Sequence, residues 1–184
     1  RMVKKDHPNA RICFIGPCSA KKLEANRKAV RSDVDFVLTF EQLQGMFDAK
    51  DIDFATLETT PEDEMIEGST MARGFAMGGG VAAAVVEAVH HIDPSVQMKF
   101  MAADGLRDCR KMLLMAKTGR YDGYLLEGMA CPGGCVAGAG TIQPAKDSQK
   151  NVETFKAQAA EKSTTASPYL DRLEEVAERG PKQH

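Results

Sequence analysis

Short β-favouring runs alternate with helical stretches along most of this 184-residue chain. The first run, at residues 11–15, is broken by a Gly-Pro pair and followed by a stretch rich in Ala, Lys, Leu and Glu over residues 20–30. A second run, at residues 34–40, precedes a helical pattern over residues 41–50. Strands that alternate with helices predict an α/β fold with a mainly parallel sheet.

The same alternation continues further along the chain. An apolar segment over residues 81–91 predicts a largely buried helix. Two more strands are predicted at residues 98–102 and 124–127, with a helix over residues 105–118 between them. Residues 59–74 are acidic and rich in turn formers, which predicts a surface loop. We therefore expect a small, mainly parallel four-stranded sheet flanked by helices.

The character of the sequence changes after Pro144. Two polar helical patterns follow, and Ser167 is placed to cap the start of the second. We predict one domain over residues 1–146 and a peripheral helical tail or linker over residues 147–184. The sequence starts with Arg ahead of Met2, so we also expect it to be a piece of a longer protein.

Charge and composition exclude several classes of protein. The 24 basic and 26 acidic residues give a net charge of −2, which argues against a nucleic-acid partner. No apolar run reaches the about 18 residues of a membrane span, and the N-terminus lacks a secretion signal, so no membrane partner is expected. The five cysteines are an odd number, which argues against a disulfide framework. We expect a cytoplasmic protein whose clustered cysteines bind metal or carry redox chemistry.

Two cysteine sites follow predicted strands. Cys18 lies at a strand-to-helix turn, where helix N–H groups and the nearby Lys21 and Lys22 would stabilise a thiolate. Cys131 and Cys135 lie in a glycine-rich segment directly after another strand. The carboxyl ends of parallel strands are where such sheets bind ligands. Glycine backbone can also approach an inorganic cluster closely, so these cysteines are candidate cluster ligands.

Other roles for the cysteines and histidines are less well supported than cluster ligation. Structural zinc sites usually combine two short chelating pairs, whereas this chain has a single C-x3-C pair, and His90 and His91 end an apolar helix. A nucleophilic role for Cys18 lacks a base that spacing would tie to it. Neither a dinucleotide-binding nor a P-loop motif occurs. Cys13, in a strand, and Cys109, on an apolar helix stripe, are predicted to be core residues.

The two cysteine motifs resemble those of the [FeFe]-hydrogenases, specifically the C-terminal lobe of their large-subunit catalytic domain. These motifs are GPCSAKKLE at residues 16–24 and EGMACPGGC at residues 127–135. The segments VDFVLTFEQL at residues 34–43 and FAMGGGV at residues 75–81 are similar to that family's intervening segments, in the same order. The resemblance covers about residues 10–144. It implies one lobe of the two-lobed iron hydrogenase fold.

The resemblance implies a metal cofactor, the H-cluster. In that family this centre is a [4Fe-4S] cube joined through one cysteine to a diiron unit with carbonyl and cyanide ligands. By matching motifs, Cys18 and Cys131 would be cube ligands, and Cys135 would bridge to the diiron unit.

Three further residues acquire roles from the same resemblance. Lys21 would donate a hydrogen bond to an iron-bound cyanide, which suits a compact cation beside an anionic ligand. Glu24, one turn further on, would hold Lys21 in place. Met129 would pack beside the diiron unit.

Two departures from the family pattern bear on activity. The family's Thr-Ser-Cys-Cys-Pro motif, which holds the fourth ligand and a proton-relay cysteine, is missing from this sequence and is expected upstream. Three ligands cannot hold the cube in the family's manner, so we expect this chain alone to be inactive and without its cluster. High-turnover members of the family carry Met at the position of Gly16. In lacking that Met, this sequence resembles the sensory members of the family.

The implied function of the whole protein is reversible H2 oxidation and proton reduction, or H2 sensing, in an anaerobic bacterium. Its expected partners are the upstream lobe of the same polypeptide, a redox protein such as ferredoxin, and H2 as substrate or signal. The alternative is a hydrogenase-like iron–sulfur assembly protein or [4Fe-4S]-binding module. That related family usually has Pro-Ser-Gly-Cys at the position of residues 132–135, which are PGGC in this chain. This difference favours the hydrogenase over the assembly protein. A metal-free interaction lobe is a third possibility.

Overall fold

The computed structural model describes residues 2–27, 33–63 and 67–172, which fall into two compact units. Of the described residues, the first unit contains 2–27, 33–59, 139–142 and 168–172. The second unit contains residues 60–63, 67–138 and 143–167.

The first unit contains a two-stranded parallel sheet and three helices among its described residues. In chain order these elements are α1 (Met2–Asp6), β1 (Cys13–Gly16), α2 (Ala20–Asn26), β2 (Phe36–Thr39) and α3 (Phe40–Asp48). Strand β1 pairs with β2 from Cys13 opposite Phe36 to Gly16 opposite Thr39. Helix α2 is therefore the crossover between two parallel strands.

Helix α3 begins directly at the carboxyl end of β2 because Thr39 and Gln42 form a capping box. The Gln42 amide donates to Thr39 Oγ1 at 3.3 Å, and the Thr39 amide donates to Gln42 Oε1 at 3.1 Å. Two orphan amides of the first turn are satisfied in this way, and Thr39 is buried.

Asp35 ties the strands of the first unit to its N-terminal helix. Its carboxylate accepts hydrogen bonds from the Ile12 amide at 2.7 Å, from Lys4 Nζ at 3.0 Å and from Arg11 at 3.1 Å. These bonds, the Ile12 amide first among them, lower the pKa of Asp35 from 3.8 to about 2. The ionised Asp35 carboxylate therefore stabilises the folded state at pH values above about 4. This stabilisation is lost as the carboxylate is protonated while the pH falls towards about 2.

We expect the substitution Asp35→Asn to lower the melting temperature at neutral pH and to flatten its dependence on pH between about 4 and 2. Thermal unfolding followed by circular dichroism across that range measures both effects. Asp48→Asn is the matched control, because the Asp48 carboxylate accepts from the side chain of Gln44, one turn earlier on the exposed surface of α3. Equal pH profiles for wild type and Asp35→Asn would contradict the expectation.

The second unit holds the other parallel pair and the longer helices. Its regular elements are α4 (Thr70–Arg73), α5 (Gly80–Ile92), β3 (Lys99–Asp104), α6 (Leu106–Lys117), β4 (Tyr124–Met129) and α7 (Ala145–Ala157). Strand β3 pairs with β4 from Lys99 opposite Tyr124 to Asp104 opposite Met129. Both α5 and α6 contact both strands, and α4 contacts α5 and α7.

The buried apolar side chains of the described residues lie in the second unit. They are Ala82 and Ala84 of α5, Met112 of α6, and Val136. Helix α6 ends at Lys117, and Gly119 follows with a φ of +83°, a left-handed conformation that favours glycine. The helix therefore ends where a glycine can take up the left-handed conformation.

The predicted α/β class, with small parallel sheets flanked by helices, is confirmed. The strands lie at the predicted places, but among the described residues they form two two-stranded sheets rather than one sheet of four. Each sheet joins two strands that are consecutive in the chain, through one crossover helix. The predicted loop over residues 59–74 also contains the short helix α4, which Ser69 caps through the Ala72 amide.

The prediction that Cys13 is a core residue is wrong. Cys13 is exposed at the start of β1, and the neighbouring Phe14 and Ile15 are 40% and 44% exposed. The reason is that β1 belongs to a sheet of only two strands, which leaves the first three residues of β1 exposed to solvent. His90 and His91 lie in the last turn of α5, where they are exposed, so they are helix-terminal groups rather than core groups.

The C-terminal region is only partly described. Helix α7 packs in the second unit, against α4 and against the 3-10 turn Cys135–Ala137. Leu170–Arg172 forms another 3-10 turn, and the remainder of the helix predicted after Ser167 lies outside the described residues, as do residues 28–30. The domain boundary at residue 146 stays a prediction. None of the described helices has the length and apolar character to cross a membrane.

Candidate functional site

Cys18 lies in the turn between β1 and α2, as predicted. It is half-buried, two residues after the end of β1 and two before the start of α2. The turn is held on both sides, since the Pro17 carbonyl accepts from the Gly140 amide at 2.9 Å and the Ser19 carbonyl from the Lys22 amide at 3.1 Å. The thiol therefore sits on a fixed backbone with part of its surface accessible.

Lys21 and Glu24 form the ion pair that the sequence predicted. Lys21 Nζ donates to Glu24 Oε2, and the two side chains are 43% and 45% exposed. Beside the pair is a cavity of about 150 Å³ lined by Phe14, Lys21, Glu24, Ala25, Val34 and Val37. Glu24 thus pairs with Lys21, while the roles of the two residues towards a cyanide stay predictions.

Cys131 and Cys135 lie in a tight turn directly after β4. The Gly134 amide donates to the Cys131 carbonyl at 3.0 Å, and the Gly138 amide donates to the Cys135 carbonyl at 2.9 Å. Both cysteines are half-buried, and neither they nor the other three cysteines are joined in a disulfide. The pair therefore presents two thiols from one turn at the carboxyl end of a parallel strand.

Two glycines give this turn its shape. Gly133 and Gly134 have φ values of +89° and +90°, which residues with a side chain rarely adopt. A Cβ at Gly134 would also lie 2.6 Å from the Gly78 amide nitrogen and 2.8 Å from the Ala76 carbonyl oxygen. The backbone of the cysteine turn thus packs directly on the backbone before α5.

Glu127 is a residue whose role the sequence analysis missed. From β4, its Oε1 accepts from the Gly79 amide at 2.8 Å and its Oε2 from the Ala82 amide at 2.6 Å. Helix α5 has no side-chain cap at Gly79, so this carboxylate satisfies its orphan amides and complements its dipole. A carboxylate inside an otherwise apolar strand, Leu125-Leu126-Glu127, is the sequence signal that could have identified it.

Met129 is the last residue of β4 and is half-buried. Its carbonyl accepts from the Gly105 amide at 2.9 Å and from Cys109 Sγ at 3.4 Å. Cys109 also donates to the Ala103 carbonyl at 3.4 Å. Cys109 therefore joins α6 to the ends of β3 and β4, but it is half-buried rather than the core residue that was predicted.

The predicted site residues are divided between the two units. Cys18, Lys21 and Glu24 belong to the first unit, and Met129, Cys131 and Cys135 to the second. In the described part of the chain, no group of three or more His, Cys, Asp or Glu side chains is arranged to hold a metal ion. Soft thiolates are the ligands of iron–sulfur clusters, so the donors fit such a group in kind. In number they are one short of the four that a cube takes.

Comparisons with known proteins support the same family. The model of the iron-only hydrogenase large subunit, C-terminal domain, matches residues 1–139. The periplasmic [Fe] hydrogenase large subunit of Nitratidesulfovibrio vulgaris is 29% identical over 169 residues, which cover 75% of this chain and 40% of that protein. The cytosolic iron-sulfur assembly component 3 of Bos taurus is 24% identical in an alignment of 201 positions. That alignment covers 88% of this chain and 42% of that protein.

The fold has solved counterparts as well. An [FeFe]-hydrogenase from Chlamydomonas reinhardtii aligns over 100% of this chain and 63% of its own, with a TM-score of 0.66 and 18% identity. The chain thus spans about two fifths of the two curated relatives. Because the family model covers residues 1–139 of 184, this chain belongs to the family of iron-only hydrogenase large subunits, as their C-terminal domain.

Proposed function

We propose that this chain is one lobe of an H-cluster protein that oxidises H2 and reduces protons, or senses H2. The observation that carries the proposal is the turn with Cys131 and Cys135. Two glycines at positive φ fold it against a glycine-rich backbone, and it presents two half-buried thiols at the end of a parallel strand. A turn of this kind gives an inorganic cluster two ligands with little side-chain obstruction.

In this proposal the chain supplies three thiolates. Cys18 and Cys131 would be ligands of the cube, Cys135 would join it to the diiron unit, and a cysteine of an upstream lobe would complete the set. When bound, the diiron unit supplies the centre at which H2 is split or formed. Lys21, paired with Glu24, would donate a hydrogen bond to a cyanide, and Met129 would pack beside the diiron unit.

The context of the protein is part of the same proposal. Its partners are an upstream lobe of the same polypeptide, a redox protein such as ferredoxin, and H2, in the cytoplasm of an anaerobic bacterium. Among the relatives, the assembly component of Bos taurus is cytosolic by name, which supports that compartment, whereas the hydrogenase of Nitratidesulfovibrio vulgaris is periplasmic by name. Gly16 at the end of β1 favours the sensory role over rapid turnover.

A second candidate function is an assembly or binding module with a plain [4Fe-4S] cluster. The similarity to the cytosolic iron-sulfur assembly component of Bos taurus supports it. The sequence PGGC at residues 132–135 favours the hydrogenase over this candidate, because the assembly family usually has Ser at the second of these positions.

Infrared spectroscopy separates the two candidates. The natural protein that contains this chain is matured without oxygen in the presence of the diiron assembly system, and its carbonyl and cyanide bands are recorded. We expect bands in the wild type and none in the variant Cys135→Ser. A wild-type protein with [4Fe-4S] absorption and no such bands would contradict the hydrogenase reading and favour the assembly module. H2 turnover then distinguishes an enzyme from a sensor.

A further inference from the structure

The carboxylate of Glu127 fixes the backbone on which the cysteine turn rests. Both of its oxygens are engaged at the start of α5, one by the Gly79 amide at 2.8 Å and the other by the Ala82 amide at 2.6 Å. Hydrogen bonds to an ionised acceptor are about twice as strong as neutral ones, and the helix dipole adds to them at this end of the helix. The first turn of α5 is therefore anchored to β4.

The Gly79 amide, which Glu127 binds, directly follows in the chain the backbone on which the cysteine turn packs. Gly78 precedes Gly79, and the Ala76–Gly78 backbone is the surface that approaches Gly134. The closeness is such that a Cβ at Gly134 would lie 2.6 Å from the Gly78 nitrogen. Gly134 in turn precedes Cys135, which begins a 3-10 turn. A shift at the start of α5 is thus passed to Cys135 through contacts between backbone atoms, which cannot adapt as side chains do.

We propose that Glu127 is a positioning residue for Cys135, acting through the start of α5 and Gly134. The proposal rests on the proposed function in so far as it takes Cys135 to be a cluster ligand. Groups that orient metal ligands from outside the coordination shell commonly change metal affinity by 10-fold to 100-fold when removed. Glu127 differs from such groups in holding the ligand's supporting backbone rather than its side chain.

The first test uses the present chain without its cluster. The rate at which iodoacetamide alkylates Cys135 and the hydrogen exchange of residues 133–138 are measured by mass spectrometry. We expect Glu127→Ala to raise both rates about tenfold, because two charge-assisted hydrogen bonds are lost. Glu127→Gln keeps an acceptor for one amide and should give an intermediate rate. Alkylation of Cys109, which is bonded to the Ala103 and Met129 carbonyls, should not change.

Glu87→Gln is the matched control variant. Glu87 lies on the same helix and accepts from Thr164 Oγ1 at 3.5 Å, so the same chemical change is made away from the cysteine turn. If Glu127→Ala speeds exchange at residues 79–82 but leaves Cys135 and residues 133–138 at wild-type rates, Glu127 is only a helix cap and the proposal is overturned. If Glu127→Ala does not fold, the comparison of Glu127→Gln with Glu87→Gln decides the question.

The second test uses the natural protein loaded with its cluster. Iron release to a chelator is expected to be about tenfold faster in Glu127→Ala than in wild type or Glu87→Gln. A wild type that takes up no cluster would contradict the proposed function and leave the alkylation result standing. A loaded protein whose iron release is unchanged in Glu127→Ala would contradict the positioning role alone.

Discussion

Replacing Gly134 with alanine is expected to unfold the cysteine turn and to abolish cluster uptake. The new Cβ would meet backbone atoms of Ala76, Met77 and Gly78 at 2.6–2.9 Å, and backbone atoms have no rotamer with which to move aside. The φ of +90° would be strained as well. We expect the free energy of unfolding to fall by about 3 kcal/mol or more, of which about 1–3 kcal/mol is the cost of a backbone conformation (φ +90°, ψ −165°) that is essentially restricted to glycine. Urea denaturation of the present chain measures this loss.

Gly123→Ala separates the two causes of that loss. Gly123 also has a positive φ, +77°, but no heavy atom lies within 4 Å of a Cβ built there. This variant should lose only about 1–2 kcal/mol and should retain iron when prepared in the natural protein. If Gly134→Ala were no less stable than Gly123→Ala and took up the same amount of iron, the close approach of the two backbones would not matter to the site.

The strands and the cysteine turns could be predicted because their signals are local. The β-favouring runs at residues 11–15, 34–40, 98–102 and 124–127 each contain most of an observed strand. Gly-Pro after the first run and the glycines after Cys131 mark turns by backbone conformation alone. The Lys21–Glu24 pair is implied by the resemblance, and its spacing permits the contact, since residues three apart on a helix are neighbours.

Features that depend on contacts distant in sequence could not be predicted in this way. Glu127 caps a helix that begins 47 residues earlier, and no local pattern marks that hydrogen bond. The division of the strands between two sheets depends on which edges pair, which propensity does not specify. Cys13 has the composition of a core strand around it, yet it is exposed because a strand of a two-stranded sheet is covered only where another element packs on it.

Replacing Cys131 with serine is expected to remove most of the iron from the natural protein when it is reconstituted without oxygen. A hydroxyl is a much harder ligand than a thiolate and stays protonated at neutral pH, so it does not replace a cube ligand. Cys18→Ser should have the same effect. Stability without the cluster should change little in either variant, because both thiols are half-buried and the exchange of sulfur for oxygen leaves no large cavity. Iron per polypeptide chain and absorption of the [4Fe-4S] cluster measure the loss.

Each of these variants has a control among the other cysteines. Cys109→Ser is matched to Cys131→Ser in the second unit, because a hydroxyl can donate to the Ala103 and Met129 carbonyls as the thiol does. Cys13→Ser is matched to Cys18→Ser, since Cys13 is exposed at the start of the strand that leads to Cys18. Both controls should keep the iron of the wild type. Equal loss in a variant and its control would show that folding rather than ligation is affected, whereas loss confined to Cys18 and Cys131 would identify them as ligands.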